Sequence, residues 1–450
     1  MNWPQLLCAD QLGRSKPARR EPGRSDFQRD SDRIIFSSAF RRLQDKTQVF
    51  PLAENDFART RLTHSLEVGS VGRSRGTRVG AEICARHKLS ESGMHPSDFG
   101  EIVHAACLGH DLGNPPFGHS GEDAIQHWFK SDSPHAKRAR EGLSPAEIAD
   151  VERYEGNAQG FRILTRLQMP DNKGGLQLTY ATLGAFTKYP HASEIAPVEH
   201  QGTSLKKFGF FQSEREYFES IADRCGLIPR GRECWSRHPL VFLVEAADDI
   251  CYRLVDFEDG VRLGHLTYEE VRDAFCNILP ANRQPRDLTA MSSKKAAIEM
   301  MRAMAIGECL GQCTNLFLEK EAEILEGTFD LPLVDTIPAT PALKEIQKRS
   351  RETIYATDRG VQIEIAGYEV LGGLLNIFVS AVNDIAEKGD AAAHRSHKLA
   401  RQLPAECIQA ARESGPYERL MRLLDFVSGM TDRFAVTLYR RVAGIALPGA

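Results

Sequence analysis

The sequence predicts an all-α protein with at most a minor β-hairpin, and three observations carry that prediction. Apolar residues recur at helical spacing along most of the 450-residue chain. Residues 102–108 and 240–247 are apolar almost all round, as helices buried in a large core are. β signals are few, and only short runs near Gln48 and Gln177 are candidates to pair. No unit of about 20 to 50 residues repeats, and neither a P-loop nor GxGxxG occurs, so the common phosphate-binding devices of nucleotide folds are absent from the sequence.

Composition narrows the class. At 42% hydrophobic and 26% charged the chain is an ordinary globular one, long enough for a large core. A formal net charge of -4 gives no bulk attraction to nucleic acid or to an anionic membrane. The ten cysteines form no CxxC and no disulfide framework, which reads as reduced thiols. MNWPQLLCADQLGRSKPARR has too short an apolar stretch for a signal sequence. No window reads as the roughly 18 apolar residues of a spanning helix. A cytoplasmic protein with no membrane partner is expected.

Taken in order, residues 11–33 are rich in Arg, Ser, Asp and Pro, and a mobile amino-terminal arm is expected over 1–31. Ile34, Ile35, Ala39, Phe40 and Leu43 then recur at helical spacing, with Arg41, Arg42 and Gln44 on or near one polar face. The next helix holds Leu62 and Leu66, and the small residues Gly69, Ser70 and Gly72 let it pack closely on a neighbour. His64 lies near its start, with Arg61 one turn earlier. A lone His there is more often a core or capping residue than a ligand, so its meaning depends on the rest of the chain.

Residues 102–108 lead into His110 and Asp111, a polar pair that an apolar setting tolerates only with partners. GNPP then breaks the helix. The next helix is expected to start with Ser120 and Asp123 spaced as a capping box, and with Ala124, Ile125, Trp128 and Phe129 as its apolar face. His119 and Glu122, three apart at its mouth, point the same way, back toward His110 and Asp111. Glu155, Asn157 and Gln159 gather at the start of another helix, and residues 178–190 end in Lys188 and Tyr189. A long loop, 190–209, overlaps KKFGFF; such loops are lids or binding loops, or else disordered. In residues 238–260, Asp248, Tyr252 and Asp256 fall on one helix face, while Asp249 is matched to Arg253 at i+4. Beyond Gly260 the pattern stays helical.

Together the three buried helices offer His64, then His110 with Asp111, then Asp248. Two nitrogens and two carboxylates suit Mg, Mn, Fe, Ni or Zn and leave positions for water and substrate. With a His and a Glu nearby, an open divalent site suggests metal-assisted hydrolysis at a phosphoryl group.

The order H...HD...D resembles the HD-domain metal-dependent phosphohydrolases. More narrowly, RIIFSSAFRRLQDKTQVF, RLTHSLEV, GHDLGNPPFGHSGE, YEGNAQGFRIL, TLGAFTKYP, KFGFFQSE and EAADDICY are similar to the deoxyguanosinetriphosphate triphosphohydrolase family. The matches run in order from about residue 32 to 260, with AGYEVLGGLL as a weaker later one. The resemblance implies an HD-domain helical core over 32–260 and additional helices over 261–450 packed on it. It implies one divalent metal per subunit, held by His64, His110, Asp111 and Asp248, and cleavage of a dNTP to deoxynucleoside and inorganic triphosphate. By the same resemblance His119 is the general acid and Glu122 orients it, a pairing that the i, i+3 spacing supports independently. Arg61, Lys188 and Tyr189 are then triphosphate contacts, Gln44 and Asp256 contacts to the sugar 3′-hydroxyl, Tyr252 packs on the deoxyribose, and Asn157 lies at the site edge. The family also implies a homo-oligomer, a hexamer by preference, and in some members a dNTP effector or single-stranded DNA. The chain is shorter than the strongly dGTP-selective members, so a guanine preference is not implied. Two other readings stay open: another HD phosphohydrolase (a 5′-nucleotidase or phosphodiesterase), and a nucleotide sensor or DNA-binding regulator without catalysis.

Overall fold

Two long helices form the centre of the fold, and small residues set how closely they pack. α1 (Arg61–His87) starts where the Thr60 side chain accepts from Thr63 N, which puts His64 in the first turn. α2 (Pro96–Gly109) starts with Pro96, whose missing N–H costs a helix nothing there. A Cβ at Gly72 would lie 2.6 Å from Cys107 Sγ, and one at Gly76 would lie 2.7 Å from the Phe99 carbonyl oxygen. Only glycine permits this approach, and it fixes the register that brings His64 beside His110, the residue that ends α2. The computed structural model describes residues 1–15, 23–46, 48, 59–198, 202–285 and 291–446. Among these are 21 α-helices and one two-stranded hairpin, so the protein is all-α as predicted.

Six more helices complete the frame around the site. α3 (His119–Lys130) and the short α4 (Gly156–Arg162) follow the break after α2. α5 (Val241–Arg262) packs on both α1 and α2 and buries Leu243, Ala247, Ile250, Leu254 and Phe257. α6 (Asp358–Lys388) lies against α3, and α7 (Pro416–Ser428) and α8 (Asp432–Val442) pack on α6 in turn. The apolar core falls into two clusters. One surrounds α1, α2 and α5. The other joins Ile125 and Phe129 of α3 to Leu371, Leu374, Phe378, Leu423 and Leu424 of the carboxyl-terminal helices.

Several expectations are corrected. Among the described residues the hairpin pairs Pro229–Gly231 with Cys234–Trp235 and does not use the run near Gln177, while the run near Gln48 falls almost wholly outside the described residues. Gln177 sits at φ 53°, and its neighbour Thr179 bridges to Gln11; residues 47 and 49–58 lie outside the described residues. The amino-terminal segment is not a free arm where it is described. Trp3 is buried against Phe99, with ring centroids 5.2 Å apart, and donates its indole N–H to Glu321 at 2.8 Å. Leu6, Leu7, Leu12 and Phe27 are buried as well, and residues 16–22 lie outside the described residues. α3 is capped by Gly118 with no side-chain cap, so Ser120 and Asp123 form no capping box. One segment, Gly360–Ala391, is long and apolar enough to span a membrane by composition, with mean hydropathy 1.6. Half of that window is buried inside the protein, where Leu371, Leu374, Leu375 and Phe378 serve the second core. All ten cysteines are free thiols.

Candidate active site

A cleft of about 600 Å³ opens where α1, α2, α3 and α5 converge. Its floor is the group His64, His110 and Asp111, whose ligating atoms lie within 4.8 Å of one another. Asp248 Oδ1, from α5, is 3.1 Å from His64 Nε2 and 3.5 Å from His110 Nε2. His110 donates Nδ1–H to the Cys107 carbonyl oxygen at 2.6 Å, which leaves its Nε2 lone pair facing Asp111 and Asp248. Asn114 donates to Asp111 Oδ1, and Arg61 donates to Asp111 Oδ2 at 2.8 Å.

The electrostatics of this point favour positive charge. Burial opposes an imidazolium at His110, yet Asp111 and Asp248 outweigh it and lift its pKa to about 9. Burial likewise works against a charged Asp111, but the Arg61 guanidinium, with His110 and His64, holds it down at about 2. Asp248 is kept well below the usual carboxylate range by His110 and His64, again against burial. A field that retains a proton on a buried imidazole also suits a divalent cation. The donor types and the fixed tautomer of His110 fit one, with His64, His110 and Asp111 as the group that could hold it.

The wall beside this floor carries the His–Glu pair. His119 opens α3 with its side chain 79% exposed, and its Nδ1 lies 3.0 Å from Glu122 Oε2. Glu122 is buried, and its other oxygen accepts the Gly156 N–H at 2.8 Å. The hydrogen bond that His119 donates to Glu122, reinforced by the carboxylate's charge, raises the pKa of His119. Two residues that sequence reasoning left out of the site complete this wall. Lys207 Nζ is 3.3 Å from Glu122 Oε2 and 2.9 Å from Glu155 Oε1, and Glu155 Oε1 also accepts from Asn157 Nδ2 at 2.7 Å. The polar residues gathered around 155–159 and the KKFGFF run held a signal for them; what was missing was any reason to join the two.

The expected substrate contacts divide into those that face the cleft and those that do not. Arg61, Asn157, Lys188, Tyr189 and Tyr252 line it. Lys188 is paired with the buried Glu245 at 3.1 Å and stands 5.7 Å from the Tyr189 ring centroid; burial opposes its charge, but Glu245 outweighs this and raises its pKa. Arg61 Nε has no hydrogen-bond partner among the described residues. Gln44 is exposed and not part of the lining, where Gln48 stands instead. Asp256 is buried behind Tyr355, which donates to it at 2.9 Å and stacks on Tyr252 with ring centroids 5.8 Å apart and planes at 5°. Burial lifts Asp256 to about 7. Asp249 is 3.8 Å from Arg253, the expected i, i+4 contact.

The signature described as HD domain matches residues 61–156, and that described as Phosphohydrolase-associated domain matches residues 338–441. The helices that carry His64, His110, Asp111, His119 and Glu122 are thus those of an HD-domain phosphohydrolase, a class that implies a divalent metal. The chain is 44% identical to a deoxyguanosinetriphosphate triphosphohydrolase-like protein of Synechocystis sp. over 99% of its own length and all of that relative's. A protein of the same description from Pseudomonas aeruginosa is 41% identical across the full length of both chains. The deoxyguanosinetriphosphate triphosphohydrolase of Yersinia enterocolitica is 32% identical, over 92% of this chain and 93% of its own. The chain belongs to the deoxyguanosinetriphosphate triphosphohydrolase-like family of HD phosphohydrolases.

Proposed function

We propose that the protein is a divalent-metal-dependent dNTP triphosphohydrolase that converts a dNTP to deoxynucleoside and inorganic triphosphate. One observation carries this reading: His119, backed by the buried Glu122, and the cations Arg61 and Lys188 face the same cleft as a metal-type group. His64, His110, Asp111 and Asp248 would hold the metal. When bound, it supplies Lewis acidity, acidifying water and drawing charge from a phosphoryl oxygen.

The chain's own groups have defined tasks in this reading. A water oxygen adds to the α-phosphorus and gives up one proton to solvent, while the bond from that phosphorus to the 5′ oxygen breaks. The electron pair stays on the 5′ oxygen, which takes its proton from His119 Nε2, and Glu122 holds Nδ1 and the resulting tautomer. Arg61 and Lys188, with the Tyr189 hydroxyl, bind the triphosphate and oppose the charge that it gains. Asn157, at the cleft edge, steadies Glu155. The Tyr252–Tyr355 stack forms a flat wall for the deoxyribose, where a 2′-hydroxyl meets ring atoms. Asp256 reaches the 3′-hydroxyl only if Tyr355 turns aside, and Gln44 only if its helix shifts. The homologues' full-length similarity supports a nucleotide substrate, and a homo-oligomer belongs to the same proposal.

The test is a product assay. Metal-stripped protein is incubated with each dNTP and with GTP, Mg or Mn is restored, and the phosphate product is identified by anion chromatography. Inorganic triphosphate from a dNTP, with GTP untouched, is the expected result. Orthophosphate or pyrophosphate would assign another HD phosphohydrolase. Lys188→Ala separates the two again. It should raise KM for a dNTP by roughly tenfold or more, since a charge-assisted contact is lost, and leave a monophosphate hydrolase almost unaffected.

A further inference from the structure

The residues just before His119 are held in a conformation that L-amino acids resist. Phe117 has φ 66° and Gly118 has φ 60°, two successive residues of positive φ directly ahead of the first residue of α3. For Phe117, which has a Cβ, that backbone persists only when its surroundings impose it. The restraint comes from the far end of the sequence. The Phe117 N–H donates to Asp432 Oδ1 at 3.0 Å, and Asp432 is a buried residue that opens α8.

The whole turn between α7 and α8 is seated behind this elbow. Lys46 Nζ donates both to the Asn114 carbonyl oxygen, at 2.5 Å, and to the Ser428 carbonyl oxygen, at 2.9 Å. Asp425 accepts from Gln159 at 2.9 Å and from Arg162 at 2.8 Å, both on α4. On the other side, a Cβ added to Gly367 of α6 would lie 3.2 Å from the Phe117 ring, so the ring is confined as well as the N–H. These contacts join the segment that bears His119 to the carboxyl-terminal helices.

We infer that Asp432 is a positioning residue for His119: by holding the Phe117 N–H it locks the elbow that aims α3's first side chain into the cleft. The inference rests on the reading of His119 as the general acid. A carboxylate is placed there for its acceptor atom, and the charge it carries faces Lys46 and Arg61.

The experiment compares Asp432→Ala, Asp432→Asn and Asp432→Glu in the full chain. Ala removes the acceptor, Asn keeps an acceptor oxygen in the same place without the charge, and Glu keeps the charge but moves the oxygen by one methylene. The expected result is that Ala and Glu lower kcat by about tenfold to a hundredfold, with KM for the dNTP changed by less than about threefold, as a displaced reacting group requires. Asn should rescue most of the loss seen with Ala. If Glu is near wild type while Asn is as poor as Ala, charge and not the hydrogen bond is what matters, and the inference is overturned. Wild-type kcat in Asp432→Ala overturns it too. Amide hydrogen exchange of residues 112–123 provides a reading that does not depend on activity. Faster exchange there in Ala and Glu, with α1 and α2 unchanged, supports the clamp, and unchanged exchange refutes it. Should the wild type release no triphosphate, the proposed reaction fails on that assay alone, and the exchange data still decide on the elbow.

Discussion

At the scale of single residues, the state of His119 depends on charges supplied by three segments. Glu122 hydrogen-bonds it and raises its pKa, while Lys207 and Arg61 lower it. An acid works only while protonated, so activity falls as pH rises through that pKa, and whatever raises the pKa extends the active range upward. Glu122→Gln should therefore move the basic limb of the kcat/KM profile to lower pH, and Lys207→Met should move it to higher pH. A pH profile in which both variants shift the same way would remove His119 as the acid. His119→Ala should lower kcat by roughly 10²–10⁴, the usual worth of a positioned acid. The His119–Glu122 pair was legible in the sequence because i, i+3 spacing on a helix is a geometric statement. Lys207 was not, because it lies 85 residues from Glu122 and meets it only through the fold. Tyr355 had no marker of any kind, since a tyrosine at the end of a helical run reads as core.

Among the elements, the approach of α1 and α2 decides both stability and site geometry. A Cβ at Gly76 would meet backbone, the Phe99 carbonyl oxygen at 2.7 Å and Gly100 Cα at 2.9 Å, so nothing there can turn aside. Gly76→Ala should destabilise the fold by about 1–3 kcal/mol. It should also weaken Mn binding in the same protein, because His64 and His110 ride on the two helices being forced apart. Gly307 makes the contrasting case. It is exposed within the helix Lys294–Glu319, and a Cβ there meets nothing within 4 Å. Gly307→Ala should stabilise by about 0.5–1 kcal/mol through helix propensity. Urea unfolding of the two variants measures both signs against one reference. The small-residue stripe around 69–72 announced the close packing in the sequence, and the apolar run at 240–247 announced α5. The hairpin was not legible, because strands of three and two residues show no alternation to read. The cap of α3 departs from the Ser–Asp expectation for a related reason: the positive-φ Phe117–Gly118 elbow puts the N-cap at Gly118, two residues before Ser120.

For the whole molecule, the question is whether the HD part stands without the helices after it. Compositional patterning could show that residues 261–450 are helical, but not that their apolar faces are shared with α3. In the structure the second core draws Ile125, Trp128 and Phe129 together with Leu371, Leu374, Leu375 and Phe378, so α3 loses a large part of its apolar cover without α6. A buried ion cluster adds to this dependence. Arg162 is fully buried between Glu214, at 2.7 Å, and Asp425, at 2.8 Å, one partner from each part of the chain. Asp425→Ala leaves that guanidinium with a single carboxylate and removes an acceptor from Gln159, and it should cost about 3–5 kcal/mol, the usual penalty for breaking a buried pair. A chain ending at residue 337 loses Asp425, Asp432 and the cover that α6 gives α3 together. It should show no cooperative thermal transition, bind a hydrophobic dye, and hydrolyse nothing, while co-expression with 338–450 should restore a soluble, cooperative complex. If residues 1–337 alone melt cooperatively, the two clusters are independent cores, and the carboxyl-terminal helices act on a finished site. Loss of the transition, with its recovery on co-expression, would mean that the site is assembled only when both ends of the chain are in place.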